Sequence, residues 1–134
     1  RILCVGDVVG SAGCAHLRQV LPPVKRQYGV DVCIVNGENS ADGNGITPVS
    51  ARHILDSGAD VITGAILDVL EETPYFLRPA NYPEGSPGQG VCVVDRGRVQ
   101  ITVINLMGTV YMEALASPFE TLDTLLERAG RPRF

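Results

Sequence analysis

The sequence predicts an α/β protein in which mixed β-sheets are flanked by helices. Short, almost wholly apolar segments alternate with segments of helical periodicity in the order β-α-β-α-β. That order, with short connections, is typical of a largely parallel sheet covered by helices. A later turn sequence at 95–98, between two apolar runs, predicts an antiparallel hairpin and makes the sheet mixed.

The first half of the chain carries the alternating pattern. An all-apolar run at 2–5 predicts a strand buried on both faces. The next helix ends at Gly29 and places five side chains on one face, namely Leu17, Val20, Leu21, Val24 and Tyr28. Further predicted elements are a strand at 30–35, a helix that begins at Thr47-Pro48 and closes at Gly58, a strand at 60–63 and a short helix at 66–72.

The second half of the chain predicts a loop, the hairpin and a last helix. Residues 74–90 are rich in proline and glycine, which is typical of an irregular loop. The hairpin strands are expected at 91–94 and 99–104, and a helix capped by Gly130 at 118–128. Residues 130–134 are typical of a connection into another strand, so we expect the natural chain to continue.

Length and composition favour one domain with a packed core. The chain has 134 residues, of which 45% are hydrophobic and 19% charged, with a net charge of −4. Without a basic run, an extended nucleic-acid surface is disfavoured. A small phosphate substrate stays compatible, because a bound metal reverses the local charge. No apolar stretch is long enough to span a membrane and no signal peptide opens the chain, so a cytoplasmic protein is expected.

The four cysteines also favour the cytoplasm. Cys4, Cys33 and Cys92 lie in apolar runs that are typical of strands, and the fourth cysteine is Cys14. None forms a C-x-x-C pair. We therefore expect buried free thiols in a reducing compartment, in preference to disulfides or a zinc site.

Two acidic residues follow the first two predicted strands directly. Asp7 follows the first strand and Glu38 the second, and open α/β sheets place their sites at these carboxyl ends. Two carboxylates at close range repel each other, and a cation between them removes the repulsion. Oxygen ligands suit magnesium, manganese or iron. The pattern thus predicts a metal site that contains Asp7 and Glu38.

Simpler explanations exist for the polar residues near these strand ends. Asp7 could instead serve as a turn or helix-cap residue, whereas Glu38 has no obvious capping role. Asn39 is either a turn former or the residue that orients a phosphate or a metal-bound water. Asp42 and Asn44 are expected to be loop residues only.

Other catalytic and binding motifs are excluded. The glycines between 6 and 13 match neither the dinucleotide fingerprint nor a phosphate-binding P-loop. His16 and His53 lie off the apolar faces of their helices, so we expect them to face solvent rather than bind metal. An aspartyl-phosphate hydrolase with Asp7 as nucleophile is disfavoured, because Val9 stands where a second aspartate is needed.

Six stretches of the chain form a recognisable set. They are Gly6-Asp7-Val8-Val9-Gly10, Ile34-Val35-Asn36-Gly37-Glu38-Asn39, Gly43-x-Gly45-Ile46-Thr47, Asp60-Val61-Ile62-Thr63, Arg78-Pro79-Ala80-Asn81-Tyr82-Pro83 and Ile104-Asn105-Leu106-Met107-Gly108. Together they resemble the calcineurin-like metallophosphoesterases, in the bacterial branch known for 2′,3′-cyclic-nucleotide phosphodiesterase activity. The resemblance covers nearly the whole chain.

The resemblance implies a fold, a metal centre and a reaction. The fold is an αββα sandwich of two β-sheets flanked by helices. Asp7 would bind one metal ion, Glu38 would bridge two, and Asn39 would lie at the substrate; iron or manganese is expected. Two metals would position a hydroxide that attacks small phosphodiesters such as 2′,3′-cyclic nucleotides. Homo-oligomerisation is left open.

Two parts of the family pattern are missing. The family's Gly-Asn-His motif is absent after Gly64, so no catalytic residue can be assigned. The family's remaining histidine ligands lie in a C-terminal portion that this chain does not contain. We therefore interpret residues 1–134 as the N-terminal part of one metallophosphoesterase domain, with segments missing between 64 and 65 and after 134. The alternative is a catalytically degenerate module that binds a ligand or partner and regulates.

Overall fold

A computed structural model of the chain describes residues 1–42, 45–64, 74–110 and 115–129. Its elements are β1 (Ile2–Val5), α1 (Gly10–Tyr28), β2 (Val32–Asn36), α2 (Pro48–Asp56), β3 (Val61–Thr63), β4 (Phe76–Leu77), β5 (Val91–Asp95), β6 (Gln100–Ile104) and α3 (Pro118–Ala129). The predicted α/β class is confirmed. The predicted short helix at 66–72 and the cap at Gly130 lie outside the described residues.

The described strands form two sheets. Four parallel strands are arranged in the order β1-β2-β3-β4, and β5 and β6 form a separate antiparallel pair. The predicted hairpin is confirmed, but it does not extend the parallel sheet. Its inward residues pack instead against one face of that sheet, where Val94 and Val103 join Val32, Val61 and Leu77 in one apolar cluster. This arrangement of two sheets is the one that the family resemblance implies.

The parallel sheet is buried on both faces at its centre. Because successive side chains of a strand point to opposite faces, Val32 and Cys33 enter different cores. Cys33 and Val35 pack on the helical side with Leu17 and Leu21 of α1. The hairpin covers the other face. Strands β2 and β3 are therefore enclosed by helices on one side and by the hairpin on the other.

Strand β1 is an edge strand, which corrects the prediction that it is buried on both faces. It pairs with β2, and no other described strand lies beside it. Ile2 is 54% exposed and Cys4 is also exposed. The described hairpin residues pack on β2, β3 and β4 rather than on β1. An apolar run of four residues does not reveal such an edge position.

The free thiols were predicted correctly in part. All four cysteines are free, but of the three in apolar runs only Cys33 is buried, while Cys92 is half-buried and Cys4 is exposed; Cys14 in α1 is buried as well. Burial raises the pKa of Cys14 and raises that of Cys33 to about 11. These two thiols stay protonated at neutral pH and act as small apolar core residues.

Helix boundaries follow the predicted signals closely. Gly29 ends α1 with a left-handed φ of 57°, although Tyr28 is exposed rather than buried. Thr47 caps α2 in a capping box with Ser50, and proline occupies the first turn. No helix in the described ranges is long and apolar enough to cross a membrane.

The interval 74–90 contains a short strand where only a loop was predicted. Phe76 and Leu77 form β4, and both side chains are buried. They pair with Ile62 and Thr63 of β3. Two residues are too few for an alternation of apolar and polar side chains to be visible in the sequence. Strand β4 forms because β3 provides it with a hydrogen-bonding partner.

Asp60 joins three layers of the fold at the start of β3. Its Oδ2 accepts hydrogen bonds from the Cys33 amide at 2.8 Å and from Lys25 Nζ at 3.0 Å. Its Oδ1 accepts from the Arg96 guanidinium of the hairpin turn. The carboxylate is only 21% exposed, so it connects α1, β2 and the hairpin in a partly desolvated setting.

Asp60→Ala is expected to lower the free energy of unfolding by about 2–3 kcal/mol. The substitution leaves Lys25 and Arg96 without their shared partner and the Cys33 amide without its acceptor. Urea denaturation measures the effect. Asp56→Ala is the matched control, because Asp56 is an exposed acid at the end of α2. Equal stability of the two variants would contradict the role of Asp60.

Candidate metal centre

Asp7 and Glu38 follow neighbouring parallel strands at the same edge of the sheet. Strand β1 is paired with β2 in a register that sets Val5 opposite Val35. Asp7 comes two residues after β1 ends, and Glu38 comes two residues after β2 ends. The loops that carry the two acids therefore leave the sheet side by side, as expected for parallel strands.

Three hydrogen bonds join these two loops. The Val8 amide donates to the Asn36 carbonyl at 3.0 Å, and the Gly10 amide donates to the Asn39 carbonyl at 2.8 Å. Asn39 Nδ2 donates to Asp7 Oδ1 at 2.7 Å. Asn39 was expected to contact substrate, and in this structure its amide orients the Asp7 carboxylate. The amide leaves the second carboxylate oxygen of Asp7 available to another partner.

The backbone at Asp7 adopts a left-handed conformation. Its φ is 41°, and Asp42 is the only other described non-glycine residue with a positive φ. Such a conformation is unfavourable for a residue with a Cβ, although aspartate tolerates it better than most. Strained positions of this kind cluster at functional sites. At Asp7 the turn redirects the chain from β1 towards α1.

Helix α1 begins three residues after Asp7, and no side chain of its first turn neutralises the positive end of the helix. Its N-cap residue, Val9, makes no side-chain cap hydrogen bond, and the first turn contains no acidic residue. The first amides of a helix lack intrahelical acceptors, and the helix dipole is positive there. A negatively charged group such as a phosphate is therefore favoured at this edge of the sheet.

Glu38 lies against the end of β3. The Gly37 amide donates to the Thr63 carbonyl at 2.9 Å, and a Cβ atom at position 64 would lie 3.3 Å from Glu38 Cα. Glycine at 64 thus permits a close approach between the two backbones. Residues 65–73, where the family's Gly-Asn-His motif is missing, follow directly and lie outside the described residues.

The chemistry of the two acids fits part of a metal-binding ligand set. Within the described ranges, the salt bridges involve Asp31 and Asp60, and neither Asp7 nor Glu38 has a cationic partner. Unpaired carboxylate oxygens suit hard or borderline cations. Across the same residues, no group of three or more histidine, cysteine, aspartate or glutamate side chains is close enough to hold a metal. Further ligands would have to come from other residues.

The remaining predicted residues lie outside this cluster. His16 and His53 are exposed, as predicted. Asp42 is exposed in its loop, and Asn44 lies outside the described residues. Sequence reasoning missed Ser40 and Ser50, whose hydroxyls are hydrogen-bonded to each other and buried. Serine in a polar loop and serine near a helix start both look like ordinary turn and cap residues, so no local signal distinguishes them.

Comparisons with known proteins agree with the fold and with the sequence motifs. The profile of a family described as YmdB-like protein matches residues 3–133. The chain is 38% identical over 139 residues to the 2′,3′-cyclic-nucleotide 2′-phosphodiesterase of Bacillus subtilis (strain 168), a match that covers 98% of this chain and 53% of that relative. The matched length exceeds this chain's 134 residues, so the relative contains residues without a counterpart here.

Two solved structures share the fold. A crystal structure of a novel phosphatase from Mycoplasma pneumoniae has a TM-score of 0.87 at 27% identity and covers 96% of this chain and 51% of that one. A crystal structure of a hypothetical protein from Thermus thermophilus has a TM-score of 0.84 at 32% identity, with coverage of 94% and 52%. The chain spans about half the length of the curated relatives it matches.

Proposed function

Because this chain belongs to the YmdB-like protein family, we propose that it is the N-terminal part of a metal-dependent phosphodiesterase with Asp7 and Glu38 among its metal ligands. The observation that carries the proposal is the placement of these two acids, without cationic partners in the described ranges, at the ends of adjacent parallel strands. A cation is the partner that such a pair of carboxylates lacks.

The proposed substrates are small phosphodiesters such as 2′,3′-cyclic nucleotides. The name of the Bacillus subtilis relative supports this class. The net charge of −4 and the lack of a basic run favour a small substrate over a long nucleic acid. Free thiols at all four cysteines support a cytoplasmic location.

Each residue of the site has a definable role in this reaction. Two bound metals, iron or manganese, would supply an activated hydroxide and neutralise charge on the phosphate. Asp7 and Glu38 would hold them, and the Asn39 amide would fix the orientation of the Asp7 carboxylate. The start of α1, which has no side-chain cap and no acidic residue in its first turn, would attract the phosphate. None of the described residues is assigned to protonate the leaving group.

Metal analysis combined with a hydrolysis assay tests the proposal. We expect the product of the complete gene to contain about two metals per chain. It should also hydrolyse bis-p-nitrophenyl phosphate with manganese or iron, and a chelator should abolish the reaction reversibly. Absence of bound metal together with absence of hydrolysis would reject the proposal. That outcome would favour the degenerate regulatory module, which the missing Gly-Asn-His motif supports.

A further inference from the structure

We propose that Ser40 and Ser50 form a buried hydroxyl pair that positions Glu38 and Asn39 for metal binding. The inference rests on the proposed function of Asp7 and Glu38. It assigns a positioning role to two residues that do not bind the metal themselves. The pair connects the loop after β2 to the first turn of α2.

The two hydroxyls are buried and hydrogen-bonded to each other. Ser40 is 3% exposed and Ser50 is 7% exposed. Ser40 Oγ donates to Ser50 Oγ at 2.9 Å, and Ser50 Oγ donates in turn to the Thr47 carbonyl at 3.1 Å. The Thr47 amide donates to Ser50 Oγ at 3.0 Å. Thr47 Oγ1 also lies within hydrogen-bond distance of Ser50 Oγ at 3.2 Å, so three donors share the two acceptor sites of this hydroxyl.

The Ser40–Ser50 hydrogen bond is not needed to cap α2. The capping box is complete without Ser40, since Thr47 Oγ1 accepts from the Ser50 amide and Ser50 Oγ accepts from the Thr47 amide. Ser40 therefore adds a contact between the loop and a helix start that is already satisfied. The result is attachment of the loop to a rigid element.

The attachment acts on the residues that carry the chemistry. The Ser40 amide donates to the Gly37 carbonyl at 3.0 Å, which closes a tight turn over residues 37–40. At its other end the turn packs on α2, because a Cβ atom at Gly37 would lie 2.9 Å from Ile54 Cδ1. Glu38 and Asn39 are the two residues between these anchors.

The positioning extends to Asp7 through Asn39. The Asn39 carbonyl accepts from the Gly10 amide and its side chain donates to Asp7. Movement of the turn over 37–40 would therefore displace Glu38 directly and disturb the orientation of Asp7. Groups that orient metal ligands typically change metal affinity or activity by about 10–100-fold when they are removed.

Titration of the metal-free complete gene product with Mn²⁺ tests the pair. We expect Ser40→Ala and Ser50→Ala each to weaken Mn²⁺ binding by about tenfold. The double variant should bind no more weakly than Ser50→Ala alone, because Ser50→Ala already removes the hydrogen bond that Ser40→Ala removes. Calorimetry or the manganese spin-resonance signal measures the affinity independently of hydrolysis.

Two control variants separate positioning from general stability. Thr47→Ala removes the side chain that caps α2 and one further donor to Ser50 Oγ, but leaves the Ser40–Ser50 hydrogen bond in place. Ser57→Ala removes a hydroxyl that is 2% exposed and donates to the His53 carbonyl at the far end of the same helix. Both controls should lower the melting temperature and bind Mn²⁺ like the wild type.

The outcomes distinguish this inference from the proposed function. Loss of Mn²⁺ affinity in Glu38→Ala together with wild-type affinity in Ser40→Ala and Ser50→Ala would overturn the inference alone. An equal loss of affinity in the two controls would also overturn it. Wild-type Mn²⁺ affinity in Glu38→Ala would reject the proposed function, and the positioning role with it.

Discussion

Hydrolysis of bis-p-nitrophenyl phosphate is expected to fall by at least about 10³-fold when either Asp7 or Glu38 is replaced with alanine. A lost carboxylate ligand removes several kcal/mol of stabilisation from the metal centre, and each 1.4 kcal/mol corresponds to roughly a factor of ten in rate. Initial rates with saturating Mn²⁺ measure the effect. Undiminished hydrolysis in both variants would contradict the metal-ligand assignment.

Asp7→Gly sharpens this test because it separates function from stability. Glycine adopts the φ of 41° at position 7 without steric cost. Glycine and alanine at position 7 both lose the hydrogen bond from Asn39 Nδ2, so in the metal-free state Asp7→Gly should exceed Asp7→Ala by about 0.5–1 kcal/mol in free energy of unfolding. It should be as inactive as the alanine variants. Urea denaturation in the presence of a chelator measures the difference between the two variants.

Asp42→Gly is the matched control for Asp7→Gly. Asp42 has a similar φ of 48° and is exposed in the loop that follows the site. We expect the same relief of backbone strain and unchanged hydrolysis. Loss of activity in Asp42→Gly would show that the loop backbone, rather than the Asp7 carboxylate, limits the reaction. An Asp7→Gly variant no more stable than Asp7→Ala would refute the strain argument.

Asn81→Ala is expected to lower the free energy of unfolding by about 3 kcal/mol. Asn81 is only 1% exposed. Its amide donates to the Met107 carbonyl at 2.8 Å and to the Ala116 carbonyl at 3.0 Å, and its oxygen accepts from the Met107 amide at 3.0 Å. Alanine would leave these groups without their partner and a cavity in place of the side chain. Chemical denaturation with a two-state fit measures the loss.

Two further variants separate the causes of that loss. Asn81→Asp preserves the side-chain volume but replaces both donors with an acceptor, so it should destabilise the protein by a comparable amount at neutral pH. Gln100→Ala removes an exposed amide that makes one hydrogen bond to Asp95 and should change stability by less than about 0.5 kcal/mol. A stable Asn81→Asp protein would point to lost volume rather than lost hydrogen bonds.

The elements with strong local signals were predictable. The apolar runs that became β2 and β3 and the turn between β5 and β6 depend on neighbouring residues in the chain. The same is true of the cap at Thr47 and the stop at Gly29. Strand β4 and the edge position of β1 were missed, because each depends on which strand lies beside it.

The candidate site was partly predictable for the same reason. The order of elements implied that Asp7 and Glu38 would follow neighbouring parallel strands, and the register of β1 and β2 agrees with that placement. The contact between Asn39 and Asp7, the left-handed backbone at Asp7 and the Ser40–Ser50 pair carried no signal in the sequence.

The sequence by itself determined the α/β class, the family resemblance and the acids that end the first two strands. These properties follow from periodicity and turn chemistry, which act over a few residues. The tertiary structure alone decided which polar groups meet and which apolar faces are covered. Asp60 and Arg96 are 36 residues apart in the chain, and Asp7 and Asn39 are 32 apart. Partners at such separations are selected by the packing of sheets and helices, which no local pattern encodes.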